Sequence, residues 1–125
     1  MRPGCLTFLL VVSIAAPAVA WDEADDAAMD DLGMVTALAA NCGGAGPSGA
    51  AMESEVGKYV AIHAKTPAER ARADSRKKAA IGDATQQLKT AADPRTLCKL
   101  KDAAIADFIG RVKKANTTRA SYQPP

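Results

Sequence analysis

Residues 93–114 read DPRTLCKLKDAAIADFIGRVKK, and this stretch decides the fold class. Asp93-Pro94 is a helix start, a side-chain acceptor at the N-cap followed by a ring that pre-sets φ at the first helical position. From there Leu97, Leu100, Ala104, Phe108 and Val112 recur at spacings of three and four, one apolar stripe on a helix. Cys98, Ile105 and Ile109 widen that stripe, while Lys99, Asp102, Asp107 and Arg111 take the opposite face. Arg111, Lys113 and Lys114 complement the negative pole of the helix dipole. A helix with one apolar face does not persist alone in water, so the rest of the chain must supply its cover.

Three further helices are expected to do so. The first runs from about Asp22 to Asn41, with Ala28, Leu32, Val35, Ala39 and Cys42 on one face and Leu38 beside them. Gly43-Gly44 follows as a stop, in a loop over 43–49 that holds four glycines. The second runs from Pro47 or Ser48 to about Ala64, with Met52, Val56, Tyr59, Val60 and His63 on its apolar side. Thr66-Pro67-Ala68-Glu69 is a capping box that opens the third, which runs to about Ala92 with a thin strip of Ala73, Ala80, Ile81, Ala84 and Leu88. No strand-length alternation and no repeat interrupts this pattern. The expected fold is all-α: a small bundle of about four helices with one disulfide, a signal peptide and a disordered C-terminal tail. Its domain would span 21–115 and the tail 116–125.

The first 20 residues are expected to be a signal peptide. Arg2 gives a positive start, Cys5 to Ala16 an apolar run, and Ala18-Val19-Ala20 a small-residue site for cleavage between Ala20 and Trp21. That run is short for a membrane span, so no span is expected after processing. Removal of Cys5 leaves Cys42 and Cys98. In an oxidising compartment one intramolecular bridge is the leading pairing, and a metal pair or an intermolecular bridge are the alternatives. Closing so long a loop stabilises a fold by about 4 kcal/mol in the chain-entropy view.

Charge is uneven along the chain. Residues 21–40 carry six acids and no base, whereas residues 94–125 carry seven bases and two acids. Acids at a helix start and bases at a helix end are what the helix dipole favours. Aromatic residues are sparse and the bases are interleaved with acids, so no nucleic-acid surface is expected.

The inventory for catalysis is thin. There is one histidine, His63, and there is no nucleophile elbow, phosphate loop or paired-cysteine redox motif, so the chain is not expected to be an enzyme. Asp22, Glu23, Asp25, Asp26, Asp30 and Asp31, with His63, are the weak candidates for a metal site; the acids lie along a helix rather than around a calcium-type loop, and they read first as a solvated helix start. His63 reads first as a packed or rim residue. Asn116-Thr117-Thr118 fits a glycosylation acceptor.

Residues 25–32, DDAAMDDL, resemble the first helix of the small periplasmic haem-b four-helix bundles, where a methionine ligates iron; residues 117–122, TTRASY, resemble the segment before their histidine ligand. Here Gln123 stands in the histidine's place and the cysteines fit no haem attachment motif, so what the resemblance implies is a bundle. In mature size, helical content and one long-range disulfide the chain is also similar to periplasmic acid-stress chaperones, a likeness of architecture without a shared motif. The expected function is non-enzymatic and cofactor-free: a periplasmic or secreted protein with an interaction, adaptor or chaperone-like role and an unknown protein partner. The alternative is a metal- or haem-binding helical carrier.

Overall fold

The structure is a computed structural model that describes residues 20–125; residues 1–19, most of the expected signal peptide and with them Cys5, lie outside the described residues. It is helical without a strand among those residues. The elements are α1 (Glu23–Asn41), α2 (Ser48–His63), α3 (Pro67–Lys89), α4 (Pro94–Lys99) and α5 (Lys101–Thr118).

Local chemistry sets most of these bounds. Asp22 caps α1, accepting from the amides of Ala24 and Asp25, while the Asp25 carboxylate accepts from the Asp22 amide. Gly43 and Gly44 take φ of 92° and 97° and turn the chain away, and the Gly44 amide closes on the Ala39 carbonyl at 2.7 Å. Thr66 and Glu69 form the expected capping box at α3. Asp93 caps α4 through the Thr96 amide at 3.2 Å.

Two features depart from expectation. The single helix expected over 93–114 is two, because the chain breaks at Leu100, which ends α4 and begins α5. The break rotates the apolar stripe: Ile105, Phe108, Val112 and Ala115 are buried, while Leu100 is 56% exposed. Residues 116–125, expected to be a disordered tail, begin inside α5 and then fold back. Arg119 takes a left-handed conformation (φ 53°), the Ala120 amide closes on the Ala115 carbonyl, and Tyr122 returns to the core at 2% exposure. An aromatic residue two positions past a helix-reversing turn is enough to anchor a short segment that shows no periodicity.

Pairwise contacts give the directions of the helices. Asp26 meets Arg72, Asp30 meets Arg76 and Gly33 meets Ala80, an almost constant offset that makes α1 and α3 parallel and in register. This is the most extensive contact in the molecule. A Cβ on Gly33 would lie 2.8 Å from the backbone of Ala80 and Ile81, so the bare glycine is what lets the two helices approach. The end of α2 meets the start of α1, and α5 starts beside the end of α1, so both run antiparallel to it. The second most extensive contact is between α2 and α5. Helices α1, α2 and α5 enclose Met29, Leu32, Val35, Met52, Tyr59, Ile105, Phe108, Val112 and Tyr122, and α3 lies against the outside of α1.

Cys42 and Cys98 are bonded, with Cα atoms 5.4 Å apart, and fasten the end of α1 to α4. Lys101 reinforces that corner. Its Nζ donates to the carbonyls of Gly44 at 2.7 Å and Cys42 at 3.3 Å, placing a cation at the negative pole of α1, whose own last turn has no base.

Candidate functional site

The acidic start of the first helix is solvated only in part: Asp22 and Glu23 are exposed, but the next two acids are not. Asp25 is 2% exposed and Asp26 8%, and each has specific partners. A capping turn places Asp25 at the third helical position, facing inward, where the end of α2 passes. Tyr59, fully buried, donates its hydroxyl to Asp25 Oδ1 at 2.5 Å, and His63 Nδ1 lies 3.2 Å from the same oxygen. The two rings, one turn apart on α2, stack at 4.0 Å between centroids. The Tyr122 amide donates to the Tyr59 hydroxyl at 3.3 Å. Burial first, and then the Asp25 carboxylate, push the Tyr59 phenol far above its ordinary range, so it remains a donor at all physiological pH. His63 Nε2 is buried without a hydrogen-bond partner.

Asp26 belongs to a second group. Its Oδ1 accepts from the Trp21 indole at 2.8 Å and its Oδ2 from Arg72 at 2.6 Å. Burial raises the carboxyl's pKa, but the bonds from Arg72 and Trp21 outweigh it and hold the group below the usual carboxylate range. One turn on, Arg76 grips Asp30 through both its Nε (2.7 Å) and Nη2 (2.9 Å). Asp31 accepts from the Tyr122 hydroxyl at 2.6 Å, and burial followed by that carboxylate raises the Tyr122 phenol as well.

The candidate metal ligands are therefore dispersed. Asp25 and His63 come together; Asp22 caps α1, Asp26 and Asp30 hold arginines of α3, Asp31 holds Tyr122, and Glu23 stays at the surface. Among the described residues no three His, Cys, Asp or Glu side chains are placed to share an ion. Met29, which carries the likeness to haem bundles, is buried in the core. At the expected cleavage site Ala20 is exposed and Trp21 is buried. The Asn116 amide nitrogen donates to Glu55 at its carbonyl (2.9 Å) and carboxylate (3.0 Å), so the glycosylation motif has a packing role.

Because α3 packs on α1 and stands apart from α2, a groove opens between α2 and α3. It has a volume of about 370 Å³, a floor of Leu32 and Thr36, one wall of Met52, Val56 and Gly57, and another of Lys77 and Ile81. It continues past Leu32, Val56 and Lys77 into a smaller pocket reaching Met29, Val60 and Ala73. Met52, Val56 and Val60 repeat every fourth residue on α2, as do Ala73, Lys77 and Ile81 on α3, so both walls are single helical rows.

The chain matches no family model, no curated protein and no solved structure. What can be said of its site therefore rests on its own residues. Sequence reasoning placed Tyr59 on an apolar stripe and assigned no partner to Arg72 or Arg76, and so missed their roles. A signal existed in the matched four-residue spacing of Asp26 with Asp30 and Arg72 with Arg76. No hydrophobic period pointed to a core place for Tyr122.

Proposed function

We propose that the protein is exported, to the periplasm or beyond, and works there as a non-enzymatic interaction, adaptor or chaperone-like module whose ligand is an apolar segment of another protein. The groove between α2 and α3 carries this reading. Its lining is mainly apolar, through Leu32, Met52, Val56, Val60 and Ile81, and its charged residues Glu53, Arg70, Asp74 and Lys77 mix both signs, so it favours an uncharged segment over a charged one. Between Met29 and Thr36 it follows α1 for about 10 Å, roughly two helical turns or three extended residues. The Cys42–Cys98 bond supports an oxidising compartment. The buried carboxylates support a structural use of the titratable groups, since each is already held by an arginine, a tyrosine or a helix cap.

Gly57 gives the test. A Cβ there meets nothing within 4 Å, so Gly57→Lys projects into the groove without disturbing the fold, and loss of a mid-helix glycine should stabilise α2 by roughly 0.5–1 kcal/mol. The variant should fold normally and lose most of its ability to keep a client protein, diluted out of denaturant without reductant, from aggregating, read by light scattering. A folded Gly57→Lys protein that protects the client as well as the parent does would remove this reading.

A carrier of a small apolar molecule is the second reading, because the groove's volume falls in the range of small-molecule sites. An absorption spectrum, elemental analysis and mass spectrometry of organic extracts of the exported protein separate the two. A stoichiometric ligand would put the carrier first.

A further inference from the structure

The N-terminal edge of the described chain has more order than a cleavage scar needs. Trp21 is 4% exposed, with its indole bonded to Asp26. Its backbone nitrogen donates to Glu69 Oε2 at 2.8 Å, across 48 residues of sequence. The other oxygen of Glu69 accepts from the amides of Lys65 and Thr66 in the capping box, so the carboxylate is held in place by α3's own start. These N–H groups, Trp21's first among them, keep Glu69 ionised to lower pH than usual.

We propose that cutting the Ala20–Trp21 bond completes this contact: it makes the Trp21 nitrogen an α-ammonium that pairs with Glu69 and locks the new N-terminus onto α3. The inference rests on the export reading above. The step is a hydrolysis by an endopeptidase of the signal-processing class. Water adds across the amide, Ala20 leaves with a carboxylate, and the Trp21 amine takes a proton at neutral pH. A neutral amide donor thereby becomes a charged one, and charge-assisted hydrogen bonds are about twice as strong as neutral ones. The charged and titratable groups around this end are Asp22, Asp25 and Asp26 from α1 and its cap, Glu69 and Arg72 from α3, and His63 from α2, a mainly acidic surrounding that favours a cation. Leader removal thus turns a neutral hydrogen bond that the uncut chain already makes into an ion pair, and only the cut chain has the charged form.

An α-amine paired in this way has a folded pKa above its unfolded value of about 7.7–8.0. Its contribution is present below that value and is lost as pH rises through the folded pKa. The test uses protein exported from the full-length gene, with intact mass showing where it begins. A second form carries one alanine inserted before Trp21, which leaves a peptide N–H facing Glu69 but moves the ammonium about 3.8 Å along the chain. The Trp21-first protein should lose a few degrees of unfolding midpoint between about pH 7 and 10 relative to the alanine-extended form. Glu69→Gln, which keeps an acceptor for the cap, should erase that difference. Carbon-13 NMR of the reductively methylated terminus should titrate above the usual α-amine range in the parent and within it in Glu69→Gln. Coincident pH profiles for the two N-termini, or an ordinary titration in the parent, would overturn the pairing and leave the cleavage intact. A mass showing a start other than Trp21 would overturn the cut itself.

Discussion

Tyr59 joins three segments that are distant in sequence. Its hydroxyl donates to Asp25 of α1, accepts from the Tyr122 amide of the returning C-terminal segment, and belongs to α2. Tyr59→Phe keeps the ring and its stack on His63 but leaves Asp25 with one fewer donor in a buried place. The expected cost is about 1–3 kcal/mol in denaturant unfolding, the penalty of an under-satisfied buried acceptor. A change of only a few tenths would show that Asp25 finds another donor. Asp26 makes a pH prediction. Its folded pKa lies below the ordinary aspartate range, so its contribution is present at and above that range and is lost as pH falls through the folded value. Asp26→Asn should therefore flatten the acid limb of the stability curve below about pH 4 and weaken the protein at neutral pH. Midpoints measured from about pH 6 to 2 would show both.

Among the elements, α1 and α3 make the contact most sensitive to a single carbon. Their parallel alignment depends on Gly33 meeting Ala80 and on the rungs Asp26–Arg72 and Asp30–Arg76 one turn apart. Gly33→Ala gains helix propensity in isolation, by up to about 1 kcal/mol. In the bundle its Cβ meets backbone on the facing helix, which cannot yield as a side-chain tip would. Overpacking of this kind costs about 1–3 kcal/mol and should outweigh propensity, so the variant is expected to be destabilised on balance. Thermal unfolding decides it, since a raised midpoint would mean that α3 slides without penalty. Separation of the two helices would also show as loss of the Arg76–Asp30 pair in a crystal structure of the variant.

For the molecule as a whole, the Cys42–Cys98 bond closes a loop of 56 residues in sequence separation that contains α2 and α3 entire. It fastens α4 to α1, and Lys101 adds two hydrogen bonds at the same corner. Alanine supplies much of the α1–α3 contact, so the apolar area per residue is modest and the cross-link has a large share of the stability. Reduction should lower stability by about 2–5 kcal/mol. Non-reducing peptide mapping of the protein purified without reductant should find this bridge and no free thiol. A free Cys42 in otherwise folded protein would assign the fold's stability to packing alone.

Periodicity, caps and glycines determined where the helices are. The Thr66 and Asp93 caps, the Gly43-Gly44 stop and the two cysteines all act through neighbours in sequence or through simple arithmetic, so they were legible without coordinates. The break at Leu100 was not, because Leu97, Leu100 and Ala104 fit one continuous stripe and only the demands of packing α5 against α1 and α2 separate them. The acids of α1 read as solvated because their spacing matches a favourable helix start. Only the tertiary structure brings Tyr59, Arg72 and Trp21 to Asp25 and Asp26 and replaces water with specific donors. Tyr122 shows the same division most plainly: no period in residues 116–125 marks it as a core residue, and its place in the core exists only because α2 holds Tyr59, and α1 holds Asp31, at the point to which the chain returns. Local sequence fixes backbone conformation through short-range sterics and capping, whereas the burial of a charge depends on which distant donors arrive beside it.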